Sequence, residues 1–270
     1  MRGIARDEIV LIILALTAAA VIAYIFIQNN WLSESAEREL CRVSVLSRWA
    51  STKIAADSLF DLQCKSHLKR ISYSDIEEIK GESAQKDAIK QIIADEMYDC
   101  WYKFNRGQLK LDNVFKVITD PNTMLGTREV CMVCSQIEFD DEIKNKFPTI
   151  DKFTEWMMNN KVPGQDFTYF QYFSNDQQVD RNAIKAIPPE YDSIKTDETY
   201  QVIFKVYERS KVNYALDILR GITPSGVLMN LYTQSYIQSS TKGISNPGGV
   251  VPTLLVIPLS GVPESCKRFY

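Results

Sequence analysis

The chain has only one histidine, His67, among its 270 residues. Ser-His-Asp and Cys-His catalytic groups and most zinc sites need histidine, so this scarcity excludes most arrangements of those kinds. The motifs of zinc proteases, serine hydrolases and phosphate-binding loops are also missing. His67 lies in a polar stretch, which favours a solvated side chain over a catalytic base. The sequence therefore predicts no catalytic residue, no cofactor and no metal.

Clusters of basic residues are lacking as well. The net charge is -3, and acidic and basic residues are interspersed, with no basic block and no acidic tail. Binding to nucleic acid requires clustered Lys and Arg, so nucleic acid is not an expected partner. The hydrophobic content of 45% and the charged content of 24% are ordinary for a folded protein.

One long hydrophobic run is present at residues 9–27, nineteen consecutive residues without a charge. A helix of this length spans about 28 Å, close to the thickness of the hydrocarbon core of a bilayer. Arg2 and Arg6 precede the run, and basic flanks mark the cytoplasmic side. We predict a cytoplasmic stub at 1–8, a single transmembrane helix at 9–27 and all later residues outside, with the lipid bilayer as a partner. A cleaved signal peptide is the alternative.

A second helix is predicted after the membrane segment, over residues 28–57. Apolar and small residues recur there at steps of three and four, which defines one face of an amphipathic helix. We expect that face to be buried; its residues are Ala36, Leu40, Val43, Ser47, Ala50 and Ile54.

Residues 58–270 are expected to form an extracytoplasmic α+β domain of helices followed by an antiparallel sheet, stapled by disulfides. Residues 58–82 have the pattern of a connection, and residues 84–105 that of a helix ended by Gly107. Thr149 is expected to cap a short helix that ends near residue 160. Strands are predicted at 129–139, 200–206, 226–232 and 251–258.

All six cysteines follow the hydrophobic run, on the predicted outer side. An even number of cysteines in an oxidising compartment indicates three disulfides, with 15 possible connectivities. A bond between the 129–139 strand and Cys100, and another from Cys266 to an earlier element, are plausible. The disulfide candidates are Cys41, Cys64, Cys100, Cys131, Cys134 and Cys266.

Cys131 and Cys134 form a C-x-x-C motif, which elsewhere can be a redox pair or half of a zinc site. A redox pair is favoured at the start of a helix, whereas this motif has the sequence of a strand. Residues i and i+3 of a strand point to opposite faces and lie about 10 Å apart, too far for a disulfide. We therefore expect each cysteine to bond a different partner, one on each face of the sheet.

Two further groups of residues have a possible functional reading. Carboxylates at 75–78 and 140–142 could supply the acid and nucleophile of a hydrolase, although such charge runs are usually solvated. Aromatic residues at 167–173 could form an exposed binding surface for a sugar or a protein, although core packing is the more common role. These aromatic residues are Phe167, Tyr169, Phe170, Tyr172 and Phe173.

Three cysteine-containing segments carry a resemblance to known proteins. Residues 41–45 (CRVSV), 97–104 (MYDCWYKF) and 131–139 (CMVCSQIEF) resemble a set of uncharacterised archaeal proteins with one amino-terminal membrane helix. This resemblance implies an anchored protein with an outward, cysteine-braced domain, and it implies no activity.

The first thirty residues also resemble the processing site of type IV pilin precursors. Gly3 follows a basic residue, Glu8 is the fifth residue after Gly3, and an apolar helix comes next. Arg6 and Asp7 depart from the pilin pattern. The resemblance implies cleavage after Gly3 and a role for Glu8 in a filament.

Together these observations predict a single-pass membrane protein with a structural, adhesion or assembly role in the cell envelope. Its expected partners are other envelope proteins or further copies of itself. A pilin-like filament subunit and an envelope hydrolase or thiol oxidoreductase remain as alternatives.

Overall fold

The computed structural model describes residues 14–17, 31–52, 62–107, 129–174, 192–208 and 250–262. The helices are α1 (Trp31–Thr52), α2 (Glu82–Lys103), α3 (Asp141–Lys146), α4 (Phe153–Asn159) and α5 (Tyr169–Phe173). The strands are β1 (His67–Ile71), β2 (Glu129–Phe139), β3 (Thr149–Asp151), β4 (Ser193–Lys195), β5 (Tyr200–Glu208) and β6 (Val250–Pro258). The predicted α+β class is confirmed at this level.

The main sheet has four strands in the order β1-β2-β5-β6. The pairs β2-β5 and β5-β6 are antiparallel, whereas β1 runs parallel to β2 at one edge. The sheet is therefore antiparallel, as predicted, except at β1. A separate two-stranded antiparallel sheet joins β3 to β4.

Helix α2 packs on one face of the main sheet and confirms the helix predicted at 84–105. Its buried side chains recur at helical spacing and meet inward residues of β2, β5 and β6 in one core. Trp101 and Phe104 both contact the ring of Phe204 on β5. Gly107 ends the short turn that follows α2, where its amide donates to the carbonyl of Phe104.

A β-bulge in β2 determines which residues face which core. The register with β5 shifts between Val133 and Ser135. A bulge adds one residue, so the alternation of faces changes there by one position. Cys134 and Ile137, three residues apart, consequently share the core on the α2 side. Cys131 belongs to a second core on the opposite face of the sheet.

Helix α1 confirms the second predicted helix, but the prediction of its buried face was wrong. Leu40 and Val43 are 54% and 55% exposed. The buried residues are Cys41, Ser44 and Val45, on the other side of the helix. The disulfide formed by Cys41 holds that side against the domain, so local hydrophobic periodicity did not decide the orientation.

Two further predictions require correction. The predicted connection at 58–82 contains β1, which reaches sheet geometry only through its pairing with β2. Thr149 does not cap a helix, because it begins β3 and pairs with Lys195. Helix α4 starts four residues later, preceded by Lys152 in the left-handed conformation at φ 58°.

Several predicted segments lie outside the described residues, including the strand at 226–232 and all of the transmembrane segment except residues 14–17, which are helical. None of the helices in the described ranges is both long enough and apolar enough to cross a bilayer.

Candidate functional site

Two disulfides connect the helices to the rest of the domain. Cys41 of α1 is bonded to Cys64, which lies shortly before β1. Cys100 of α2 is bonded to Cys134 of β2, so the predicted bond between that helix and that strand is confirmed. The first bond fixes α1 to the segment before β1, and the second fixes α2 to the sheet.

The C-x-x-C motif is divided between two bonds, as its strand geometry predicts. Cys134 pairs with Cys100, and Cys131 is also in a disulfide, with a partner other than Cys134. The motif is therefore not a dithiol redox pair in this fold. Cys266, which was predicted to bond an earlier element, lies outside the described residues.

His67, the only histidine, lies on β1 and pairs with a carboxylate of α2. His67 Nε2 lies 2.8 Å from Glu96 Oε2, although the imidazole is half-exposed. Burial acts to raise the pKa of Glu96, but the hydrogen bond and charge of His67 outweigh it, and Ser135 and Lys69 act in the same direction. The pKa of Glu96 therefore lies below its ordinary value, and this carboxylate stays charged.

The neighbouring carboxyl, Asp95, has the opposite character. It accepts a hydrogen bond from the hydroxyl of Tyr169 on α5. Burial raises its pKa above the ordinary value, and the hydrogen bond from Tyr169 only partly offsets this effect. The hydroxyl of Tyr169 also has a raised pKa, because it is buried and bonded to a carboxylate. The pKa values of two adjacent carboxyls of α2 are thus shifted in opposite directions.

These opposite shifts predict opposite pH effects for Asp95→Asn and Glu96→Gln. A lowered folded-state pKa stabilises the fold above the unfolded value, and that stability is lost as pH falls through the folded value. Glu96→Gln should therefore lower the free energy of unfolding at pH 7 by about 1–3 kcal/mol, with a smaller loss near pH 3.

Asp95→Asn should instead raise the free energy of unfolding at pH 7, because a raised carboxyl pKa weakens the fold as pH rises. Urea unfolding of both variants between pH 3 and pH 7 measures the two effects. If both substitutions changed the free energy of unfolding at pH 7 in the same direction, the result would contradict the opposite pKa shifts of Asp95 and Glu96.

Polar contacts also join α1 to α2. Arg38 Nη1 lies 3.1 Å from Asp99 Oδ1. The hydroxyl of Tyr102 donates to Glu39 Oε1 at 2.9 Å, and the guanidinium of Arg42 lies 4.1 Å from the centre of the Tyr102 ring. These contacts are partly exposed, so each adds only a little stability.

The carboxylates proposed from the sequence as a hydrolase pair have structural roles. Asp140 caps α3 by accepting from the amide of Ile143 at 2.8 Å, and it also accepts from the amide of Tyr73. Asp75 accepts from the amide of Ser72 at 2.9 Å. The others in these runs pair with nearby lysines or are exposed: Asp141, Glu142, Glu77 and Glu78.

The aromatic run at 167–173 is not an exposed binding surface. Phe167 is half-buried, and Tyr169, Phe170, Tyr172 and Phe173 are buried. The rings of Tyr98 and Tyr172 stack with their centres 4.4 Å apart, and Trp156 stacks on Tyr169. The run therefore packs α4 and α5 against α2.

The polar groups around α2 are occupied by other parts of the same chain. Glu96 is bonded to His67, and Asp95 to Tyr169, so neither carboxyl is directed at an open reaction centre. Within the described ranges, no group of three His, Cys, Asp or Glu side chains is arranged to hold a metal ion. This arrangement is suited to holding five elements in fixed positions: α1, α2, α5, β1 and β2.

No family model, curated protein or solved structure matches this chain. His67 is exposed, as predicted, but its pairing with Glu96 was not predicted, because that pairing depends on β1 lying beside β2. Gly3 and Glu8, the residues of the pilin resemblance, lie outside the described residues.

Proposed function

We propose that this protein is a single-pass membrane protein whose domain lies outside the cytoplasm and has a structural, adhesion or assembly role in the cell envelope. The observation that carries the proposal is the oxidised state of the cysteines. Each of the five described cysteines is in a disulfide. Such bonds persist in oxidising compartments and are rare in reducing ones.

The arrangement of the bonds supports a structural role. One disulfide fixes α1, the helix that follows the hydrophobic run, and the other fixes α2 to the sheet. Contacts between Arg38 and Asp99 and between Glu39 and Tyr102 connect the two helices. A domain presented by a membrane helix benefits from such bracing, because a rigid connection keeps its surface in one orientation.

Labelling of intact cells tests the location. A membrane-impermeant amine reagent should modify exposed lysines of the domain, such as Lys65 and Lys195, to the same extent in intact and permeabilised cells. Extraction with alkaline carbonate should leave the protein in the membrane fraction. Labelling that requires permeabilisation, or release of the protein by carbonate, would contradict the proposal.

The mass of the mature amino terminus separates this proposal from the pilin alternative. We expect residues 1–3 to be retained in the membrane-bound protein. A mature chain that begins at Ile4 would instead support processing after Gly3 and favour a filament subunit.

A further inference from the structure

We infer that the disulfide between Cys41 and Cys64 is a reversible thiol switch, which an external dithiol opens in the folded protein so that α1 is released from the domain. The bond is closed in the resting protein. The partner is defined by its chemistry, as a dithiol reductant that reaches the side of the membrane on which the domain lies. Selective opening is independent of the proposed location, whereas its consequence for an anchored domain rests on that proposed function.

The two disulfides that join described residues differ in their exposure. Cys100 and Cys134 are 0% and 4% exposed, so both ends of their bond lie in the core between α2 and the sheet. Cys41 is also buried, but Cys64 is only half-buried and lies in the segment before β1. Thiol–disulfide exchange requires a thiolate to reach one sulfur of the bond. Cys64 therefore offers a reductant a point of attack that the core disulfide lacks.

The exchange is balanced by two electrons from the dithiol. One thiolate of the reductant attacks Sγ of Cys64, the S–S bond breaks, and Cys41 leaves as a thiolate that takes up a proton. The second thiol of the reductant then attacks its own sulfur in the mixed disulfide and displaces Cys64 as a thiolate, which is also protonated. The protein gains two thiols, and the reductant ends as an internal disulfide.

The contacts that flank this disulfide are weaker than the bond itself. Lys65 Nζ lies 3.3 Å from Glu37 Oε1, and both side chains are mostly exposed, so this ion pair contributes little. The amide of Gln63 donates to Ser44 Oγ at 3.0 Å. These contacts help to align Cys64 with α1, but they do not replace a covalent bond once it opens.

Helix α1 also depends on the disulfide more than α2 does. Among the side chains of α1 that the structure describes, only Cys41, Ser44 and Val45 are buried. The polar contacts of α1 with α2 are partly exposed. Helix α2, by contrast, has buried residues from Ile89 to Lys103 and packs on the sheet. Opening of the first bond therefore loosens α1 and leaves the core in place.

Such a loosening is a local opening, which costs less free energy than unfolding of the whole domain. Helix α1 follows the hydrophobic run at 9–27 in the sequence. In a membrane-anchored protein, reduction would turn a braced connection between the bilayer and the domain into a flexible one, and reoxidation would restore the brace. The switch would thus control how the domain is oriented on its anchor.

Timed reduction of the full chain in detergent micelles tests the selectivity. The folded protein is treated with dithiothreitol, quenched with iodoacetamide and analysed by peptide mapping. We expect Cys41 and Cys64 to be alkylated at least about tenfold faster than Cys100, Cys131 and Cys134, because the latter three are buried. Circular dichroism should stay unchanged meanwhile. In concentrated urea, which removes the protection of the fold, the two bonds should be reduced at similar rates.

Limited proteolysis tests the release of α1. Cleavage within α1 should appear when the wild-type chain is reduced and disappear when oxidised glutathione restores the bond. The Cys41→Ala, Cys64→Ala double variant is the matched control. Its α1 should be cleaved to the same extent with and without dithiothreitol, because it has no bond to open.

Equal reduction rates for the two bonds in the folded protein, or reduction only together with loss of the circular dichroism signal, would overturn the inference. Alkylation of Cys41 and Cys64 without new cleavage in α1 would overturn it as well. The result is separable from the proposed location. Selective opening in a chain that labelling places inside the cell would contradict the location alone, whereas equal reduction in a correctly located chain would contradict the switch alone.

Discussion

Replacing both Cys100 and Cys134 with alanine is expected to lower the free energy of unfolding by about 3–4 kcal/mol. The bond closes a loop with a sequence separation of 34, and its loss restores that conformational freedom to the unfolded chain. The double substitution leaves no unpaired thiol from this bond. Urea unfolding, followed by circular dichroism, measures the change as a lower midpoint.

The Cys41→Ala, Cys64→Ala double variant is the matched comparison. It removes a bond of sequence separation 23, which fixes a helix at one end of the described fold rather than the central helix. We expect a smaller loss of global stability, with greater protease sensitivity confined to α1. An equal effect of both double variants, or no effect of the first, would contradict the central position given to the bond between α2 and β2.

Trp101→Ala is expected to lower the free energy of unfolding by about 3–5 kcal/mol. Trp101 is 1% exposed, and its ring centre lies 5.8 Å from that of Phe204. Phe204 in turn stacks on Phe104 at 4.1 Å, so truncation of Trp101 leaves a cavity between α2 and β5. The same urea unfolding experiment measures the loss.

Leu259→Ala is the control for Trp101→Ala, because Leu259 is 46% exposed and its truncation opens no buried cavity. It should change stability by less than about 0.5 kcal/mol. A loss below about 1 kcal/mol for Trp101→Ala would show that the interface between α2 and the sheet is not the main core.

Local sequence patterns were sufficient to predict α2 and β2, which are among the longest elements. The helical spacing of Ile89, Ile93 and Met97 predicted α2, and those side chains are buried. The apolar, β-branched run at 129–139 predicted β2 with the bounds that are observed. Because a strand separates residues i and i+3, it also predicted that Cys131 and Cys134 have different partners.

The features that sequence did not predict depend on contacts between distant residues. Strand β1 is mostly polar and exposed, and it is ordered by its pairing with β2, with His67 beside Ser135. The ion pair between His67 and Glu96 follows from that pairing.

The orientation of α1 also depends on a contact between distant residues that the local sequence does not reveal. Its apolar periodicity predicted that Leu40 faces inward, but the disulfide of Cys41 requires the opposite side to face the domain. A covalent bond between two elements outweighs the burial of a few apolar side chains.

Peptide mapping under non-reducing conditions tests the central claim most directly. The protein should be taken from its native membrane with free thiols blocked at lysis, then digested and analysed by mass spectrometry. The account predicts peptides linked through Cys41 and Cys64 and through Cys100 and Cys134, with Cys131 linked to a cysteine other than Cys134. A link between Cys131 and Cys134, or blocked free thiols at these positions, would contradict it.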